Sequence, residues 1–259
     1  MAIEIHFDAV DGAPIDSATV MVLRDGARGL EVLMVRRHGD SGVLGGVHVF
    51  PGGKLDAQDR EVVLPGLDRD PHWFAQALGE PGLPPAVARG LFAAALRETR
   101  EECALSLPAG SLWPWSRWIT PRQPSVTRKR FDTRFFIAAA PHDQEAVHDD
   151  FESTEAVWVA PSDGLQRYWA GEIDLAPPQI MSLVQLARCR DVAGVFDAAR
   201  QRPPALIEPQ PFDQDGERVI CYPGDPAHPV REPVWAGPTR LRYRNRRFEP
   251  DGGLAALLG

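Results

Sequence analysis

The stretch Leu91 to Leu105, LFAAALRETREECAL, constrains this chain more than any other. Leu, Ala, Arg and Glu dominate it and neither Gly nor Pro interrupts it, so it predicts a helix. Residues three and four apart on a helix share a face. Ala94, Glu98, Glu101 and Glu102 form one stripe, and Phe92, Ala95, Leu96, Thr99 and Cys103 form another. The second stripe is apolar and suits a core. The first sets three carboxylates side by side, at a cost of roughly 0.2–0.5 kcal/mol per pair on an exposed helix. Either water solvates them or a cation bridges them, and on the helix alone a solvated acidic face is the simpler account. Arg97 relieves part of the charge through its i,i+4 partner Glu101. Oxygen-only ligands would select a hard cation, Mg2+ or Mn2+.

A second stretch, Val47 to Asp59 (VHVFPGGKLDAQD), changes the balance. Its β-prone run His48 to Phe50 stops at Pro51-Gly52-Gly53, a tight turn whose backbone can approach a ligand closely. Gly53, five residues, Asp59, and later Arg97-Glu98-Thr99-Arg100-Glu101-Glu102 together resemble the signature of the Nudix hydrolases, G-x5-E-x7-R-E-U-x-E-E-x-G-U with U aliphatic. Asp59 stands for the first Glu, Thr99 for the aliphatic residue and Ala104 for the last Gly. Residues 60 to 96, 37 residues, replace the usual seven. An interruption there is shared with the coenzyme A diphosphatase-like subgroup related to nucleoside diphosphate-linked moiety X motif 19. Further landmarks of that subgroup follow in order: Trp118 to Pro121, Arg130 to Phe136, Glu155 to Pro161 and Pro177-Pro178-Gln179. The resemblance covers roughly residues 15 to 190.

The resemblance implies an α/β/α sandwich with a mixed sheet over residues 1–200, interrupted by a helical insertion at about 60–83. Residues 201–259 are expected to form a β-rich extension packed on it. It also implies Mg2+- or Mn2+-dependent hydrolysis of a diphosphate linkage, in coenzyme A or an acyl-CoA, giving 3′,5′-ADP and (acyl-)4′-phosphopantetheine. Glu98, Glu101 and Glu102 with a Gly53 carbonyl would hold the metal, and Arg97 would orient the glutamates. In such enzymes a later acidic loop often adds a ligand or base, here Glu152 ahead of Glu155, with Asp149 and Asp150 behind them. A broader nucleoside diphosphate-X pyrophosphatase, acting on ADP-ribose, NADH or dinucleotides, is the alternative enzyme. A catalytically silent ligand sensor on the same fold is the alternative from another class, against which the three intact glutamates weigh.

Phosphate contacts fall to Arg36 and Arg37 at one strand end, and to Arg128 and Arg130 in the basic island PRQPSVTRKRF; a solvated strand end or loop accounts for either cluster about as well. Of Trp113, Trp115 and Trp118, two are expected in the core. Asp70-Pro71 predicts a short insertion helix carrying Trp73, Phe74 and Leu78, a lobe packed by its own aromatics. Pro84-Pro85 starts the long helix. Ser162 to Trp169 and Pro178 to Ala199 each read as one further helix.

The net charge of −8 argues against general nucleic-acid binding but not against an anionic small substrate. Three widely spaced cysteines show neither a zinc spacing nor a disulfide framework. With no signal peptide in residues 1–20, no membrane span and no peroxisomal address in AALLG, the expectation is a cytoplasmic enzyme. A homodimer is compatible with it.

Overall fold

Seven consecutive buried residues, Ser17 to Leu23, place the strand Ile15–Gly26 (β1) at the centre of the sheet. A strand covered on both faces reads as a continuous apolar run. In this computed structural model, which describes residues 8–38, 45–127, 129–148 and 153–259, side chains of β1 alternate between two cores. Ala18, Val20 and Val22 face one, and Met21 and Leu23 face the other.

Around β1 lie Gly29–Arg37 (β2), His48–Val49 (β3), Gly52–Lys54 (β4), Trp113–Ile119 (β5), Phe131–Ala139 (β6), Ser153–Val159 (β7) and Ala205–Ile207 (β8). The order is β3-β2-β1-β6-β5-β8, with β4 also on β1 and β7 also on β2. β1 runs parallel to β6, and antiparallel to β2 and β4, so the sheet is mixed. Helices Pro71–Ala77 (α1) and Pro85–Cys103 (α2) cover one face. Pro161–Ala170 (α3), Pro177–Leu186 (α4) and Val192–Arg200 (α5) cover the other. This is the expected α/β/α sandwich.

The last 50 or so residues add a second sheet, Gln210–Gln214 (β9), Glu217–Cys221 (β10), Arg240–Arg244 (β11) and Arg247–Glu249 (β12), and the helix Gly253–Leu258 (α6). Ile220, Leu241, Phe248 and Leu257 pack into the α3–α5 core. The Tyr168 hydroxyl of α3 donates to the Phe248 carbonyl at 2.8 Å and accepts from its N–H at 2.8 Å. β8 lies parallel to β5 as an edge strand of the large sheet, so the extension shares that sheet as well as covering it.

Two expectations change. Pro178 to Ala199 is not one helix: α4 ends at Leu186, and Asp191 starts α5 by accepting from the Gly194 N–H at 2.8 Å. An N-cap side chain of this kind satisfies an amide that a continuous helix would not leave open. The insertion's aromatics do not pack among themselves alone. Phe74 stacks edge-on against Phe92 of α2, which stacks on Phe136 of β6, so the lobe reaches the main core. The tryptophans divide as expected: Trp115 and Trp118 are buried, while Trp113 is 39% exposed.

The long helix ends at Cys103 because Ala104 is left-handed, with φ 56°, and its N–H returns to the Arg100 carbonyl. Gly is the residue this conformation favours, since a Cβ there costs about 1–2 kcal/mol. Ala104 is exposed and has no packing to lose. Ala104→Gly is therefore expected to stabilise the fold by about 0.5–1 kcal/mol, measured as a rise in the urea midpoint at unchanged slope.

Candidate active site

The glutamate helix and the glycine turn meet because β4 pairs with β1 directly beneath the last turns of α2. Ala18 sits opposite Gly53 and Thr19 opposite Gly52. The Thr19 hydroxyl donates to the Pro51 carbonyl at 2.7 Å and fixes the turn. Gly52 donates its N–H to Glu102 Oε2 at 3.0 Å. A Cβ on Gly53 would overlap the Glu98 carboxylate, and one on Gly52 would overlap the backbone of Ala18 and Thr19. Gly53 excludes a side chain so that Glu98 can lie against main chain, and Gly52 does so because the turn lies directly on β1.

Arg97 organises this end of the helix. Its guanidinium forms a two-pronged pair with Asp59 at 3.0 Å on each prong. It also donates to Glu98 at 2.8 Å, Glu101 at 3.0 Å and the Lys54 carbonyl at 3.0 Å. Bonding to Asp59 holds the Arg97 pKa above the ordinary arginine range, against the opposing effect of burial. Asp59 is 1% exposed and also accepts from the Asp56 N–H. It anchors Arg97 and does not join the glutamates. The same pair closes the chain on either side of the insertion, so the two halves of the interrupted signature come together as if uninterrupted.

Glu98 and Glu101 line a cavity of about 970 Å³, together with Gly52, Gly53, Lys54 and Arg97. Glu102 is buried, 4% exposed, behind the glycine turn. A set of carboxylate and carbonyl oxygens suits a hard divalent cation. Gly53, where a Cβ would overlap the Glu98 carboxylate, lets that carboxylate lie against the main chain, an all-oxygen pairing that fits that use. Among the described residues no group of three or more His, Cys, Asp or Glu converges at ligating distance, and Arg97 spans Glu98 and Glu101 instead.

The expected phosphate contacts separate. Arg37 lines the cavity, as does Lys129 from the basic island. Arg36 faces a second, smaller cavity with His48, Glu155 and Arg167. Arg130 donates to the Thr120 and Gly12 carbonyls and lies outside the cavity lining, so its guanidinium ties two loops together. Arg128, Glu152, Asp149 and Asp150 lie outside the described residues. Glu155 stands 3.6 Å from His48 Nε2, away from the glutamate helix. Burial lowers the His48 pKa, and Glu155 partly opposes the shift.

The far wall of the cavity was not foreseen from sequence. It is apolar and aromatic: Phe50, Trp118, Phe135 and Pro178, closed by Pro211 and Ile220 of the C-terminal sheet. The ordered landmarks Trp118 to Pro121 and Pro177-Pro178-Gln179 were its only sequence signal.

A family model described as the NUDT19 Nudix domain matches residues 107–186, beginning just after the glutamate helix. Acyl-coenzyme A diphosphatase NUDT19 of Gallus gallus is 26% identical over 303 aligned positions, covering 85% of this chain and 78% of that protein. Its Homo sapiens counterpart is 27% identical, covering 62% of this chain and 61% of that protein. Putative nudix hydrolase 7 of Caenorhabditis elegans is 30% identical, and this chain spans only 41% of its length. A crystal structure of a NUDIX hydrolase from Alicyclobacillus acidocaldarius superposes with a TM-score of 0.56 at 26% identity, over 74% of this chain and 97% of that one.

Proposed function

We propose that this chain, a member of the Nudix hydrolase family, hydrolyses the diphosphate linkage of coenzyme A or an acyl-CoA in the presence of Mg2+ or Mn2+. The products would be 3′,5′-ADP and (acyl-)4′-phosphopantetheine. One observation carries this reading. A glutamate pair braced by Arg97 opens into a large cavity whose other end is apolar, as a substrate with a charged diphosphate and a long arm requires.

Glu98, Glu101 and Glu102, with a carbonyl of the Gly52-Gly53 turn, would hold the cation. When bound, such an ion lowers the pKa of water and offsets charge on the leaving phosphate. Arg97 keeps Glu98 and Glu101 oriented and, always charged, donates no proton in the reaction. Arg37 and Lys129 supply positive charge on the cavity wall for phosphate oxygens. A carboxylate of the helix, or Glu152, would accept the proton from water. The curated NUDT19 relatives, named as acyl-coenzyme A diphosphatases, support the choice of substrate.

Product analysis tests it. Purified protein with Mg2+ or Mn2+ is expected to release 3′,5′-ADP from coenzyme A and acyl-CoAs, and to stop on addition of a chelator. Preferential cleavage of ADP-ribose, NADH or diadenosine polyphosphates would replace this reading with the broader pyrophosphatase. Tight binding without turnover across the panel would replace it with a sensor.

A further inference from the structure

One cross-strand row of the large sheet forms part of the cavity wall. Lys54 of β4 pairs with Ser17 of β1, Ser17 with Thr133 of β6, and Thr133 with Trp118 of β5. Directly paired residues point to the same face of a sheet, and all four line the cavity. The row changes character along its length. It begins at Lys54, next to Gly53, passes the Ser17 and Thr133 hydroxyls, hydrogen-bonded to each other at 2.7 Å, and ends on an indole ring. Beyond Trp118 the space is filled. Tyr222 and Trp235 back its ring at centroid distances of 6.0 and 5.7 Å, and neither borders the cavity. Pro211 and Ile220, register partners in β9 and β10, do border it there.

We propose that Ile220, with Pro211 beside it, is a stop that sets the length of substrate arm the site accepts. Three strand spacings separate Lys54 from Trp118, about 14 Å. A fully extended chain advances about 1.2 Å per bond, so about a dozen bonds span that distance. A pantetheine arm, counted from phosphorus to sulfur, is about that long. The inference rests on the coenzyme A reading of the site and narrows it: free coenzyme A or a short acyl thioester fills the cavity, and a long acyl chain has no room past Ile220. The stop is rigid, because Ile220 is 5% exposed and belongs to the core shared with α3–α5. A close-packed interior does not yield freely to added methylenes. The C-terminal extension thereby acquires a role in specificity, since the large sheet and its helices alone would leave this end of the cavity without Pro211 and Ile220.

The test is calorimetric titration of the full chain with n-alkyl phosphates of about six to sixteen carbons, a range that brackets the expected limit. None contains a diphosphate linkage, so binding is read apart from turnover. Affinity is expected to rise up to about fourfold per methylene and then to level off near about a dozen carbons. Ile220→Ala should move that break to longer chains and Ile220→Phe to shorter ones, each by about two carbons. Lost stability alone would weaken all chain lengths together and leave the break in place, so its position separates a stop from a packing role. Ile220→Val should move the break the same way as Ile220→Ala but by less, and serves if the larger changes unfold the protein. In turnover, coenzyme A and acetyl-CoA are expected to exceed dodecanoyl-CoA in kcat/KM by at least about tenfold, and Ile220→Ala to narrow that gap. Affinity that climbs without a break, or a break that no folded variant moves, would overturn the stop. Dodecanoyl-CoA cleaved as well as coenzyme A would also overturn it and leave the coenzyme A reading intact. A movable break in a protein that prefers ADP-ribose would instead sink the coenzyme A reading and leave the stop standing.

Discussion

Glu102→Gln is expected to lower kcat/KM on the preferred diphosphate substrate by about 10²–10⁴-fold, the range for losing a group that acts through a cation or a proton. The change is nearly isosteric. Gln keeps a carbonyl oxygen for the Gly52 N–H, which Glu102 Oε2 now accepts at 3.0 Å, so the glycine turn should stay closed. What is lost is the negative charge of a residue 4% exposed, set behind the two glutamates that line the cavity. Circular dichroism should be unchanged, while the Mn2+ concentration for half-maximal activity should rise. Full activity in the variant would remove Glu102 from the catalytic machinery and leave Glu98 and Glu101 to account for it.

The largest expected loss of stability lies away from that site, at Arg134. Its side chain is 2% exposed on β6 and bonds Glu80 of the insertion at 2.9 and 2.7 Å. It also bonds Asp16 of β1 at 2.5 Å, and the Asp132 carbonyl at 2.9 Å. Arg117 of β5 joins Glu80 at 2.8 Å and Asp132 at 2.6 Å. Burial opposes the charge on Arg134, yet Glu80, Asp132 and Asp16 hold its pKa above the ordinary range. Removing one partner from such a network strands the others, which costs about 3–5 kcal/mol. Arg134→Met should therefore lower the melting midpoint by roughly 6–20 °C. Replacing Glu80 with Leu in the same chain should recover part of that loss, because the stranded carboxylate goes with it. A midpoint within a degree of wild type would show that the network holds the insertion in place without stabilising the fold. The arrangement also explains how an insertion inside the signature is tolerated: Glu80 ties its far end to the sheet, and Asp59 with Arg97 closes its near end.

Much of this was legible in the residue order. Local propensity and period fixed α2, because Ala, Leu, Glu and Arg favour a helix whatever surrounds them. Asp70-Pro71 and Pro84-Pro85 marked two helix starts. The glutamates, Arg97 and the glycine turn could be named because their residue types and order resemble the Nudix signature. Other features depend on contacts between distant segments, and no local pattern encodes those. Asp59 could stand in the signature as a ligand or as an anchor, and only its 3.0 Å bonds to Arg97, across the insertion, made it the anchor. Arg36 and Arg37 are neighbours in sequence, but strand alternation sends them to different cavities. Arg130 looked like a phosphate ligand until the loops at Gly12 and Thr120 took its donors. The apolar end of the cavity joins residues some 170 positions apart, Phe50 and Ile220, which only the packing of the second sheet against the first brings together.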